Sequence, residues 1–143
     1  MSNFILHPQL AKDGGLVIDL PLSRLLRMND RQYPWLILVP RRNHMKEIID
    51  LQDQDQRQLF EEILLISHIL KSALKPDKIN IGALGNMVPQ LHIHLIARFK
   101  IDLAWPRPVW GTYPAQAFDE GEWQSELIFW KNQLALSSKN LKE

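Results

Sequence analysis

"NMVPQLHIHLIARF", residues 86–99, is the stretch on which the fold turns. From Gln90 onward polar and apolar residues mostly alternate, the period-two pattern of a strand with one buried face. Gln90, His92, His94, Ile96 and Arg98 then share one side, while Leu91, Ile93, Leu95, Ala97 and Phe99 take the other and pack on a helix. Side chains two apart on a strand begin roughly 7 Å from one another, so the two imidazoles can converge on one substrate atom or its neighbours.

Upstream, "KINIGAL" (78–84) reads as a strand, and Gly85-Asn86 as the turn of a strand–turn–strand hairpin. Before it lies a helix from Asp53 to Leu74, in which Leu59, Ile63, Ile66, Leu70 and Ala73 form one apolar stripe. Asp53 and Asp55 at its start and Lys71 and Lys75 at its end suit the helix dipole, and Pro76 closes it. "WLILVP" (35–40) is a buried strand stopped by Pro40, and "GLVIDL" (15–20) and "SRLLRM" (23–28) are two earlier strands separated by Pro21. Residues 44–51 fit neither period. Downstream, residues 101–121 carry Pro106, Pro108, Pro114, Trp105 and Trp110 and read as an ordered arm. Residues 122–136 read as a second helix with Trp123, Leu127, Trp130 and Leu134 on one side, and "SSKNLKE" is expected to fray. Strands, one long helix, then a hairpin give an α+β fold with an antiparallel sheet.

The 143 residues suit one domain (1–143), with a core over 15–100 and an arm and helix over 101–136. A net charge of +1 offers no general attraction for nucleic acid or acidic membranes. The absence of cysteine excludes disulfides, thiolate metal sites and a cysteine nucleophile. The amino terminus has no basic leader followed by an apolar run, and no apolar stretch approaches the roughly 20 residues of a membrane span. A soluble, cytoplasmic protein is expected.

Three readings of His92 and His94 compete. They are ordinary residues on a solvated sheet face, two ligands of a shared metal, or imidazoles engaged in nucleophilic or acid–base chemistry. A metal would need a further ligand from His7, His44, His68 or a carboxylate, none at a telling spacing. The preceding turn, "NIGALGNMVP", supplies glycines and asparagines whose backbone N–H groups and amides can approach an anion. A neutral nitrogen nucleophile beside amide donors suits a phosphoryl group better than a metal.

"GNMVPQLHIHLIAR" resembles the active-site strand of the histidine triad (HIT) superfamily, in which three histidines alternate with hydrophobic residues after a glycine-containing turn. "MND", "WLILVPRR", the long helix and "NIGALGN" are similar to further family segments, so the resemblance spans residues 15–100; "AWPRPVWG" looks like that of bacterial HIT-like hydrolases. It implies a HIT-like fold with about five antiparallel strands, a homodimer, and a nucleotide substrate cleaved at a phosphate anhydride or phosphoramidate. In the family the middle histidine attacks phosphorus and forms a covalent nucleotidyl-histidine. Position by position, His92 would be that nucleophile, His94 would assist the leaving group or hold a phosphate oxygen, and Gln90 fills the first triad slot. Asn80, Gly85 and Asn86 would surround the phosphate, and Asp30, with Asn29 the alternative, would hold the ribose hydroxyls. No metal, cofactor, membrane or nucleic-acid polymer is implied. A nucleotide-binding module with little turnover and a metal-dependent enzyme stand as alternatives.

Glutamine in the first slot can hydrogen-bond but cannot titrate, and Met87 replaces a frequent hydroxyl residue. An imidazole nucleophile must be neutral, which a pKa near 6.5 permits. Arg41 and Arg42 are expected on the solvated surface, Arg98 either at phosphates or paired with a carboxylate, and Trp105 and Trp110 as packing anchors. His7 and His44 have no informative partners in the sequence.

Overall fold

The computed structural model describes residues 3–142. Five strands, β1 (Gly14–Asp19), β2 (Ser23–Met28), β3 (Trp35–Pro40), β4 (Lys78–Gly82) and β5 (Ile93–Arg98), form one sheet in the order β1-β2-β3-β5-β4. Every neighbouring pair is antiparallel. The α+β expectation holds, and the helix read from the apolar stripe runs Asp53–Leu74 (α2).

Each face of the sheet carries its own apolar cluster. Leu36, Leu38, Ile93, Leu95 and Ala97 face α2, where Leu59, Ile63, Ile66 and Leu70 meet them. Trp130 and Leu134 of the last helix, α3 (Glu120–Lys142), join the same cluster. Glu62 of α2 is buried among these side chains and accepts the backbone N–H groups of Leu22 and Ser23 at 2.8 and 3.0 Å. A buried carboxylate is tolerable because backbone donors replace its water.

On the opposite face Leu26, Trp35, Ile37, Val39 and Ile96 are covered by Leu10 of a short helix, α1 (Pro8–Asp13), and by Ala104 and Val109 of the arm. The alternation predicts a strand buried on one side only. Instead β5 is buried along its whole length. A strand covered on both sides loses the polar half of its alternation, which is why the two histidines and Arg98 end up inside.

Several boundaries move. α1 was not anticipated; its first turn is set by His7, whose Nδ1 accepts the N–H of Gln9, and by Pro8 at its first position. Residues 44–51 contain only a single 3-10 turn at Ile48–Asp50. α3 starts earlier than expected and continues through the segment expected to fray, as far as Lys142; Glu143 lies outside the described residues. Trp123 packs where a Cβ on Gly15 would come within 2.6 Å of its ring, so the glycine permits the close approach of α3 to β1. Arg41 and Arg42 are partly exposed, as a surface position predicts, and are paired there: Arg41 donates to the Leu20, Pro21 and Leu22 carbonyls, and Arg42 pairs with Asp55 at 2.7 Å.

Candidate active site

The predicted strand over 90–99 begins only at Ile93, for a reason visible in the pairing. β3 and β5 set Trp35 against Ile96 and Leu38 against Ile93, so the same register would oppose Leu91 to Pro40. Proline has no N–H for the ladder, and the Leu91 N–H turns instead to the Met45 carbonyl at 2.9 Å. Gln90 and His92 therefore lie on a loop leading into β5, while His94 sits within it. The rings still converge: their centroids are 4.8 Å apart and meet edge to face.

Both histidines are nearly enclosed, at 6% and 7% exposure, which removes the solvated-face reading. His92 Nδ1 lies 2.7 Å from the Gln90 backbone carbonyl. A carbonyl only accepts, so Nδ1 carries the proton and Nε2 presents its lone pair. Burial lowers the His92 pKa, opposed by that carbonyl bond and reinforced by the charge of His7. His94 falls further, to about 3, through burial first and then through His92 beside it. Its Nδ1 receives the indole N–H of Trp35 at 3.0 Å, and Trp110 meets its ring edge to face at 5.6 Å.

Gln90 does not use its side chain on either imidazole. Its Oε1 accepts the His7 N–H at 2.8 Å and its Nε2 donates to the Ile5 carbonyl at 2.9 Å. It clamps the amino-terminal segment across the loop, and this brings His7, thought to lack partners, within electrostatic reach of His92.

Asn80 stands opposite Ile96 in the β4–β5 ladder and so shares the histidine face. Its Oδ1 accepts from Arg98 Nη1 at 2.8 Å, which leaves the amide N–H₂ as the group able to donate. Arg98, undecided in the sequence between phosphate and carboxylate, is bound to Asp102 at 2.8 and 3.1 Å and also donates to the Arg107 carbonyl. Trp105 covers its guanidinium at 5.6 Å. Asp102 is pushed up by burial but pulled further down by Arg98 and by the N–H groups of Phe99 and Trp105, a net lowering.

Gly85 has φ of +68°, the left-handed region glycine enters without strain, and the neighbouring Asn86 is exposed. A groove of about 440 Å³ runs between Asn80, Ile81, Pro106, Pro108 and Trp110. Gly82 leaves room for the Trp110 ring, which a Cβ there would approach to 3.1 Å. Asp30 is a different matter: it is 2% exposed, and its Oδ1 accepts the backbone N–H and the side-chain amide of Gln32. One oxygen of the carboxylate expected to hold a ribose is thus taken by its own turn, and it also lies 3.4 Å from the Gln116 N–H. Its neighbour Asn29 is half-buried, with Oδ1 taken by the Phe118 N–H at 2.9 Å. Among the described residues no three His, Asp or Glu side chains are grouped so as to hold a metal ion.

Sequence reasoning missed Trp35, Asp102 and the clamp on His7. Trp35 was legible in part, since Trp35, Ile37 and Val39 alternate onto the histidine face once the β3–β5 register is known. The His7 contact spans 83 residues and leaves no local signal.

A family profile described as "HIT domain" matches residues 9–101. Over 91% of this chain and 97% of the other, the structure is similar to a histidine triad protein from Bradyrhizobium japonicum, with 49% identity and a TM-score of 0.86. A histidine triad protein from Marinobacter aquaeolei is 40% identical with a TM-score of 0.87, covering 96% of this chain and 98% of that one. A bis(5'-adenosyl)-triphosphatase from Saccharomyces cerevisiae is 32% identical over 72 residues, which are 47% of this chain and 35% of the yeast protein. The match thus covers the minor part of that relative.

Proposed function

The chain belongs to the HIT domain family, and from that premise we propose that it is a nucleotide hydrolase whose His92 attacks the α-phosphorus of a nucleoside phosphate anhydride. The observation that carries the reading is the 2.7 Å contact of His92 Nδ1 with the Gln90 carbonyl, which leaves a neutral Nε2 lone pair on an enclosed ring.

In the first step Nε2 bonds to phosphorus, the bond to the bridging oxygen breaks, and its electron pair leaves with the departing phosphate. The Nδ1 proton stays against the Gln90 carbonyl, which disperses the positive charge of the nucleotidyl-imidazolium. Water then attacks phosphorus, the N–P bond returns its pair to Nε2, and the surplus proton passes to solvent. Negative charge grows on the non-bridging oxygens in both steps. The Asn80 amide, aimed by Arg98, and the exposed Asn86 at the Gly85 turn are the donors assigned to it. Gln90 acts by fixing the amino-terminal segment, and Asp30 is left out of the ribose site because its side chain is enclosed.

The β4 strand lies at the sheet edge with Ile81 half exposed, and a homodimer formed there is part of the same proposal. No helix among the described residues is long and apolar enough to cross a membrane; a cytoplasmic location belongs to the same proposal. The test is hydrolysis of a diadenosine polyphosphate in the presence of a chelator. Turnover by the unmutated protein that disappears in His92→Ala supports the reading. Tight nucleotide binding without turnover gives a binding module instead, and loss of activity in chelator gives a metal enzyme.

A further inference from the structure

Two neighbouring buried imidazoles, with centroids 4.8 Å apart, are held by opposite kinds of partner. His92 Nδ1 faces a carbonyl, which only accepts, whereas His94 Nδ1 faces the indole N–H of Trp35, which only donates. A ring nitrogen that accepts from tryptophan cannot itself carry a proton. We propose that Trp35 is a positioning residue that fixes His94 with its proton on Nε2, so that His94 gives the leaving group a hydrogen bond but never a proton. This rests on His92 being the nucleophile; it adds which bonds that nucleophile can break.

The bond is a built feature of the sheet. Trp35 pairs with Ile96 and Ile37 with His94, so the indole reaches His94 diagonally along one face. Trp35 is 6% exposed and His94 7%, so the bond between them is buried. Protonating His94 Nδ1 would set two donors against each other in an enclosed site, leaving the indole N–H unsatisfied. The other groups packed on the ring reinforce this. Trp110 is uncharged, His92 disfavours a second positive charge, and Arg98 on the same strand is neutralised by Asp102. From the amino-terminal segment, His7 bears on His92.

The consequence falls on the leaving group. When the bridging P–O bond of an anhydride breaks, its electron pair stays on a phosphate oxygen, which is stable as an anion and needs no proton. When a P–N bond breaks, the amine must receive a proton before or as it leaves. A neutral His94 has only the Nε2 proton, and surrendering that would create an imidazolate. The site therefore suits nucleoside anhydrides whose second half departs as a phosphate, and not amine-linked nucleotides.

The direct test is ¹⁵N NMR of histidine-labelled protein across pH 8 to 5. The expected spectrum has His94 Nδ1 unprotonated and Nε2 protonated throughout, with no ionisation in that range. In Trp35→Phe, the His94 signals move toward an ordinary mixture of tautomers, while the burial and the His92 neighbour that hold its pKa down remain. A His94 with its proton on Nδ1, or one that titrates near 6.5 in the unmutated protein, overturns the proposal. On the unmutated protein this readout requires neither substrate nor a variant, so it decides the tautomer even if no nucleotide is hydrolysed. The second arm compares adenosine phosphoramidate with a diadenosine polyphosphate. A preference of about a hundredfold or more for the anhydride is expected, the scale of a missing general acid. Equal rates overturn the leaving-group restriction.

Discussion

Replacing Arg98 by methionine tests the link between the arm and the active site. Arg98 is 2% exposed, and its donors are taken by both oxygens of Asp102, by Asn80 Oδ1 and by the Arg107 carbonyl. Methionine fills much of the volume but leaves the Asp102 carboxylate without its cation. Removing one partner of a buried pair generally costs about 3–5 kcal/mol. Asp102 keeps the N–H groups of Phe99 and Trp105, at 3.0 and 2.8 Å, which argues for the lower end, about 3 kcal/mol. Urea unfolding at pH 7 measures it. Acid supplies an internal control. The Asp102 pKa is held below 3.8, so its contribution to stability is present above that value and lost as pH falls through the folded one. The gap between Arg98→Met and the unmutated protein should therefore narrow in strong acid. Activity should fall about tenfold, less than for deleting an oxyanion donor outright, because Asn80 is misaimed rather than removed. A variant that unfolds with the parent at pH 7, or that loses no activity, refutes the coupling.

Other expectations follow from the same contacts. His94 has a folded pKa of about 3 against an ordinary 6.5, so stability is lost as pH falls below 6.5; by pH 5 this residue should cost about 2 kcal/mol, and His94→Asn should flatten that slope in urea titrations. Gln90→Ala should release the Ile5 and His7 backbone groups, speed hydrogen exchange over residues 3–13 and lower stability by about 1–2 kcal/mol, while the His92 carbonyl contact, made by the backbone, persists. Gly85→Ala should lose about 1 kcal/mol, since φ of +68° strains any residue with a Cβ, and a thermal melt equal to the parent would contradict it.

The part of this molecule governed by local pattern was readable from its residues. The α2 stripe and its flanking charges gave its ends, and the prolines at 21, 40 and 76 marked where strands and helix stop. The histidine pair stood out because its spacing survives even though His92 lies before the strand. What escaped depended on distant partners. Gln90 looked like a member of the catalytic row, but its amide is committed to Ile5 and His7, more than 80 residues away. Asp30 looked like a ligand for hydroxyls, yet a short turn folds Gln32 onto it. Arg98 could not be decided, since Asp102 and Asn80 both had to be placed beside it by the arm and by β4. The arm itself has no period to read; its burial of the second sheet face follows from the tryptophans and Val109 finding a surface that nothing else covers.

The proposed mechanism requires a transient bond between His92 Nε2 and phosphorus. Rapid mixing with a diadenosine polyphosphate, quenching in alkaline denaturant and intact-mass measurement tests it most directly. The unmutated protein should gain the mass of one adenylyl group, mapped to the peptide containing His92, and His92→Ala should gain none. An adduct on the alanine variant, or full turnover by it, would contradict the mechanism.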